Sequence, residues 1–182
     1  MRRSLGIGDE PDDLEILRMR RRHLKGVMAI ERQVYPRPWS PNLFLSEMTD
    51  MRNRAYLVAK LDKEVVAYGG IMNYGEEAHI TTIAVDPDHH RRKIGTRILY
   101  ELVSEGIRMG AQAVSLEVRV SNWGAQRLYN RFGFRPVGIR KGYYQETNED
   151  AIVMWADDVR TQDYRRQLQS IINQVPTGIR PH

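Results

Sequence analysis

The run His89-His90-Arg91-Arg92-Lys93-Ile94-Gly95-Thr96 places three cationic side chains, a glycine and a hydroxyl between an apolar strand pattern and a helical one. A helix start exposes unpaired N–H groups and carries partial positive charge, so a basic, glycine-containing turn there suits a phosphate or another anion. A solvated turn that merely opens a helix fits the same residues about as well. Two other residues carry side chains that move protons. Glu117 lies in AVSLEVRV, where Val114, Leu116, Val118 and Val120 alternate with polar residues, so it falls on the polar face of a strand. Tyr129 belongs to a series Ala125, Leu128, Tyr129, Phe132 at helical spacing. Each has an ordinary explanation: a lone strand glutamate is usually exposed or paired with an arginine, here Arg119, and a tyrosine in such a stripe is usually core.

The elements that must position these residues can be read from periodicity. LEILRM, from Leu14, reads as a strand, and HLKGVMAIERQVY as a helix ending at Tyr35-Pro36. Ser40 is a good N-cap with Pro41 at the first helical position, which predicts a short helix burying Leu43, Phe44 and Met48. AYLVAKL and VVAYGGIMNY read as a hairpin around Asp62-Lys63-Glu64, and AHITTIAV as a third strand closed by Asp86-Pro87-Asp88. A long amphipathic helix begins near Gly95. After AVSLEVRV, Ser121 or Asn122 caps a helix that Gly133 ends in a left-handed turn. FRPVGIRKGYY and AIVMWA read as closing strands around QETNED. The expected order is β-α-α-β-β-β-α-β-α-β-β.

The chain has 182 residues, 41% hydrophobic, enough for one sizeable core. Residues 1–12 read as a flexible tail, residues 13–157 as the domain, and residues 158–182 as an extension with a helix at Tyr164, Leu168, Ile171 and Ile172 before a disordered end. No apolar run is long enough to span a bilayer, and no apolar segment follows the basic N-terminus, so a soluble cytoplasmic protein is expected. There is no cysteine, which excludes disulfides, thiolate metal sites and a cysteine-bound acyl group. The net charge of +5 favours anionic partners without choosing among them. The five histidines lack a paired ligand spacing with carboxylates, so no metal is expected.

From Leu14 to Trp155 the sequence resembles the GNAT superfamily, most of all the bacterial ribosomal-protein-alanine N-acetyltransferases. The segments that carry the resemblance are PWS (38–40), IAVDPDHHRRKIGTRIL (83–99), LEVRVSNWGAQRLYNRFGF (116–134), and GYY with EDAIVM near the end. The second and third together are highly specific. The resemblance implies an α/β fold: a central mixed, mostly antiparallel sheet, splayed around acetyl-CoA, with flanking helices. It also implies that the backbone of Ile83, Ala84 and Val85 pairs with the pantetheine amides like an added strand. The turn formed by Arg91, Arg92, Lys93, Ile94, Gly95 and Thr96 is implied to hold the pyrophosphate, and Asn122 to hydrogen-bond the cofactor. The family's loop runs Gln or Arg, any, any, Gly, any, Gly or Ala. Here His90 opens it and Lys93 replaces the first glycine, so the lysine must turn away from the phosphate or offer its ammonium to it.

By the same resemblance Glu117 acts as the base and Tyr129 as the proton donor to the departing thiolate. An α-amine, with a pKa of about 7.7–8.0, needs only modest help to lose a proton, and a phenol can donate as charge builds on sulfur. Tyr35, Tyr143 and Tyr144 fall in segments that resemble the peptide-binding loops. Because Tyr143 and Tyr144 are adjacent on a strand, at most one is expected to line the groove. For Trp39 core packing is the stronger reading. The leading expectation is acetyl transfer from acetyl-CoA to a protein N-terminal α-amine, on ribosomal protein or similar, by direct attack in a ternary complex. A small amine or lysine side chain as acceptor is the alternative. A nucleic-acid-binding module built on RMRRRHLK (18–25) and HHRRK lacks any supporting motif, so nucleic-acid contact is expected to be incidental at most.

Overall fold

A computed structural model describes residues 14–50 and 52–175. The expected tail, residues 1–12, lies outside the described residues, as does the end of the chain beyond Val175. The elements are β1 (Leu14–Arg18), α1 (Leu24–Val34), α2 (Pro41–Glu47), β2 (Arg54–Leu61), β3 (Glu64–Asn73), β4 (Glu77–Val85), α3 (Ile94–Arg108), β5 (Ala113–Arg119), α4 (Trp123–Arg131), β6 (Arg135–Tyr144), β7 (Glu149–Ala156) and α5 (Gln162–Asn173). Local chemistry sets several boundaries. Ser40 Oγ accepts from the Leu43 N–H at 3.1 Å, Asn122 Oδ1 from the Ala125 N–H at 3.1 Å, and Gly133 ends α4 with φ of 82°.

The strands form one sheet in the order β1-β2-β3-β4-β5-β7-β6. Every neighbouring pair is antiparallel except β4 and β5. A parallel pair needs a crossover, and α3 supplies it. Helix α3 buries Leu99, Leu102 and Val103 against the sheet, each worth roughly 1.5–3 kcal/mol of transfer free energy. Gly69 permits that approach, because a Cβ there would stand 2.6 Å from Leu102 Cδ1. Helices α1 and α2 cover a second apolar cluster built on Tyr56, Val58 and Tyr68, with Phe44 at its centre. Leu43, expected in that core, is 39% exposed and Met48 is half-buried, because short α2 turns only one side inward. Helix α5 shares the α3 core through Tyr164, Leu168 and Ile171, and the Tyr164 hydroxyl donates to the Phe132 carbonyl at 2.8 Å.

The feature that matters for function is the seam between β4 and β5. They pair only from Glu77 to His79, opposite Ala113 to Ser115, and then separate. The remainder of each strand forms the walls of a cleft.

Candidate active site

Two cavities fill that cleft. One, of about 540 Å³, is lined by Ile83, Ala84 and Val85 of β4, by the turn from His89 into α3, and by Gly124, Ala125 and Leu128 of α4. The other, of about 310 Å³, is lined by α1 and the loop after it, by β4 and β5, and by Tyr143, Tyr144 and Glu146. Ile83, Asn122 and Tyr129 belong to both, so the cavities meet at these residues.

The first cavity is built largely from backbone. Lys93 is the N-cap of α3 and makes no side-chain cap, leaving the first-turn N–H groups directed at the cavity. Arg91 and Lys93 are both left-handed, with φ of 61° and 64°. Left-handed residues interspersed in a turn converge successive N–H groups into an anion-binding concavity. They also explain why glycine suits the Lys93 position, since a side chain there costs roughly 1–2 kcal/mol. The lysine itself is exposed. Arg91, Lys93, Ile94, Gly95 and Thr96 all line the cavity, whereas Arg92 instead lines a neighbouring pocket with Asp62, Lys63 and Glu64. The left-handed residues on either side of Arg92 turn its side chain away from its neighbours', toward the β2–β3 hairpin.

Strand β4 adds its inner edge. The Asp86 N–H donates to the Val66 carbonyl at 2.8 Å, toward β3. Backbone polar groups alternate in direction along a strand, so those of Ala84 also turn to β3 while those of Ile83 and Val85 open on the cleft. Consistently, the Ile83 carbonyl accepts from the Tyr35 hydroxyl at 3.0 Å, and the Val85 carbonyl lies 3.1 Å from His90 Nε2. Of the expected trio, Ala84 therefore contributes a buried wall and not a pairing group. Asn122 uses its carbonyl oxygen on the α4 cap, so its amide NH₂ is the donor it can offer a ligand.

The second cavity is built from side chains. Glu117, only 8% exposed, lies 2.9 Å from His79 Nε2 and 3.2 Å from an Arg140 guanidinium nitrogen. The His79 hydrogen bond holds its carboxyl below the usual range against the opposing effect of burial, and Arg140 adds to the lowering, so Glu117 is ionised at neutral pH. Arg119 is not its partner. That guanidinium bonds Glu146 and Glu149, the latter at 3.1 Å, and stacks 3.8 Å from the Tyr144 ring centroid. Tyr129 is buried, and burial, with Tyr35 and Tyr144 nearby, raises its phenol well above the usual range and keeps it protonated.

Tyr143 and Tyr144 both line this cavity, against the expectation that strand alternation would admit one. Gly142, with φ of 57°, sits in a register irregularity between Arg140 and Tyr144. A left-handed glycine at a bulge breaks alternation and re-aims the next side chains. The two rings then meet edge to face with centroids 5.1 Å apart. Burial pushes Tyr144 up to about 12. Trp39 packs on Phe44 at 5.3 Å, as expected of core, and also lines the cavity.

His79, Arg140 and Glu31 were not singled out from the sequence. Glu31 is buried on α1, where it accepts from the Trp39 N–H at 2.8 Å and from the Tyr68 hydroxyl, so it pins the loop that walls the second cavity. Burial raises its carboxyl, with the Trp39 hydrogen bond opposing. His79 had one available signal, a lone imidazole in a strand that is otherwise apolar and hydroxyl-bearing after Glu77. Nothing near Arg140 in the chain points to Glu117.

A splayed seam, a helix start without a side-chain cap beside it and a carboxylate beyond form a cleft suited to an anionic, amide-bearing ligand on one side and an amine on the other. The profile of the Acetyltransferase (GNAT) family matches residues 24–134, and the chain belongs to that family, whose co-substrate is acetyl-CoA. The [ribosomal protein bS18]-alanine N-acetyltransferase of Escherichia coli strain K12 is 36% identical over 135 residues, 72% of this chain and 88% of that one. The N-alpha-acetyltransferase RimI of Mycobacterium tuberculosis is 39% identical over 124 residues, 66% and 76% of the respective chains. The crystal structure of the Escherichia coli ribosomal-protein-S18-alanine N-acetyltransferase superposes with a TM-score of 0.72 at 30% identity, covering 80% of this chain and 94% of that one. Among the described residues, no helix is long and apolar enough to cross a membrane.

Proposed function

We propose that the chain transfers the acetyl group of acetyl-CoA to the N-terminal α-amine of a protein, with ribosomal protein bS18 or a similar N-terminus as acceptor. The observation that carries this reading is the meeting of a backbone-lined cavity and a side-chain-lined cavity at Tyr129, with ionised Glu117 on the acceptor side. The identity to bS18-alanine and N-alpha-acetyltransferases supports the choice of acceptor.

The first-turn N–H groups of α3, with Arg91, suit the pyrophosphate. The cleft-facing groups of Ile83 and Val85 suit the pantetheine amides, once the Tyr35 hydroxyl yields the Ile83 carbonyl. The peptide enters past Tyr35, Tyr143 and Tyr144. Its neutral amine attacks the thioester carbon directly, the C–N bond forms, and the C–S bond breaks. The nitrogen becomes strongly acidic as it bonds to carbon, so a carboxylate held ionised can accept its proton directly or through water. Tyr129, kept protonated by burial, donates to sulfur as thiolate charge develops. The absence of cysteine agrees with direct attack in a ternary complex.

The test measures CoA release with short peptides that differ only in a free or acetylated N-terminus, for wild type, Glu117→Gln and Tyr129→Phe. Turnover only with free N-termini, slowed in both variants, is the expected result. Turnover of polyamines with inert peptides would move the acceptor to a small amine, and full activity in both variants would remove the assigned roles.

A further inference from the structure

Glu117 has a second connection that the chemistry above leaves unused. Its Oε2 lies 2.9 Å from His79 Nε2, His79 Nδ1 lies 2.8 Å from Ser115 Oγ, and Ser115 Oγ donates to Glu77 Oε1 at 2.7 Å. The line follows the short stretch where β4 and β5 pair, since His79 and Ser115 are register partners. It runs from the cavity wall to the first residue of β4, beside the exposed Tyr74-Gly75-Glu76 turn. We infer that His79, Ser115 and Glu77 form a proton relay, carrying the proton taken from the acceptor amine away from Glu117 to water at the β3–β4 turn.

Hydrogen-bond accounting shows that the line can carry a proton without breaking. Three contacts need three protons. A neutral imidazole supplies one and the serine hydroxyl another, while two ionised carboxylates supply none. The line is therefore complete only when it holds one further proton. Placed on Glu117, on His79 or on Glu77, that proton preserves all three bonds. Moving between them shifts each shared proton across one contact. The overall balance is one proton entering from the amine at Glu117 and one leaving Glu77 for water, with no bond other than those to hydrogen changed.

The site has a reason to need such an exit. The Glu117 side chain is 8% exposed, and its opening faces the cavity that the acceptor peptide fills. In a ternary complex the peptide covers that side, so the carboxylate has no direct path to bulk solvent there. The strand seam is the opposite side, and Ser115, itself buried, is the link that bridges it. His79, Ser115 and Glu77 touch no reacting atom; they act through Glu117, and the inference rests on its proposed role as base.

The experiment is single-turnover acetyl transfer to a peptide with a free N-terminus, in H₂O and in D₂O. It compares wild type, Ser115→Ala, Ser115→Thr, Glu77→Gln and Glu117→Gln, with acetyl-CoA affinity from calorimetry and folding from thermal melts. Ser115→Ala and Glu77→Gln should slow transfer about tenfold, below the ~10²–10⁴-fold contribution of direct acid–base groups, because water can replace part of a relay. Acetyl-CoA affinity should not change. Ser115→Thr keeps a hydroxyl and should restore the rate, and added imidazole buffer should accelerate Glu77→Gln but not wild type. Wild-type rate and isotope effect in Ser115→Ala, with Glu117→Gln still impaired, would overturn the relay alone. An equal loss in Ser115→Ala and Ser115→Thr would also overturn it, since packing and not the hydroxyl would then be responsible. A fully active Glu117→Gln would overturn the base assignment and the relay together.

Discussion

On the proposed cofactor side of the cleft the groups on offer are backbone N–H and C=O at the start of α3 and along β4; on the proposed acceptor side they are side chains from α1, β4, β5 and the β6–β7 hairpin. Backbone groups are placed by the elements themselves, so any sequence that folds this way presents them. Side chains are placed by their partners: Glu117 by His79 and Arg140, Tyr144 by Arg119, and the Trp39 loop by Glu31. The cofactor side should therefore tolerate substitution, and the acceptor side should not.

The sharpest way to break this contrast is Glu117→Gln, which keeps shape and removes the proposed base. A loss of 100-fold or more in kcat is expected, within the ~10²–10⁴ range of acid–base groups, with acetyl-CoA affinity unchanged. Steady-state kinetics with calorimetry would decide, and an equal loss of cofactor binding would contradict the division into two sides. Next in size is Arg119→Met, which keeps a long apolar stem but releases Glu146, Glu149 and Tyr144. The KM for peptide should rise about tenfold, a change of about 1.4 kcal/mol, while the KM for acetyl-CoA stays put.

On the cofactor side, Lys93→Gly should be beneficial. Removing a Cβ from a left-handed residue relieves roughly 1 kcal/mol, partly offset by the entropy of glycine, and should raise Tm by up to about 2–4 °C in a chain of this size. A lower Tm would show that the lysine side chain, not the backbone, holds the turn. The smallest effect concerns acid. The folded-state carboxyl of Glu117 is lowered, so its stabilising contribution is fully present above its unfolded value of 4.5 and fades as pH falls through the folded value. Glu117→Gln should flatten the acid limb of urea stability below about pH 4.5 relative to wild type and leave the limb above it parallel. Unchanged acid limbs would mean that the His79 and Arg140 pairs contribute nothing to stability.

How much of this was legible in the chain follows the same division. Periods of two and of three to four residues identify strands and helices because each reflects which side of one element is buried. Caps such as Ser40 and Asn122, and the α3 start behind a basic turn, are likewise interactions among close neighbours. The left-handed backbone at Lys93 could be anticipated only through the glycine the family carries there. What failed were inferences that assumed perfect regularity: strand alternation at Tyr143 and Tyr144, undone by Gly142, and an inward Leu43 on a helix with one buried side. Arg119 was the nearest arginine to Glu117 along the strand, yet space gave that place to Arg140 and His79.

The order of elements and the basic turn ahead of α3 are written in the chain, and one extended motif, through the family resemblance, singles out Glu117 and Tyr129 as candidates. That β4 and β5 part after His79, that the Glu117 carboxyl is lowered, and that His79, Ser115 and Glu77 line up behind it come from contacts between distant segments. Local patterns record how a segment meets water and core. They hold no record of which distant strand lies alongside, and the charge state and proton connections of a buried carboxylate depend on that strand.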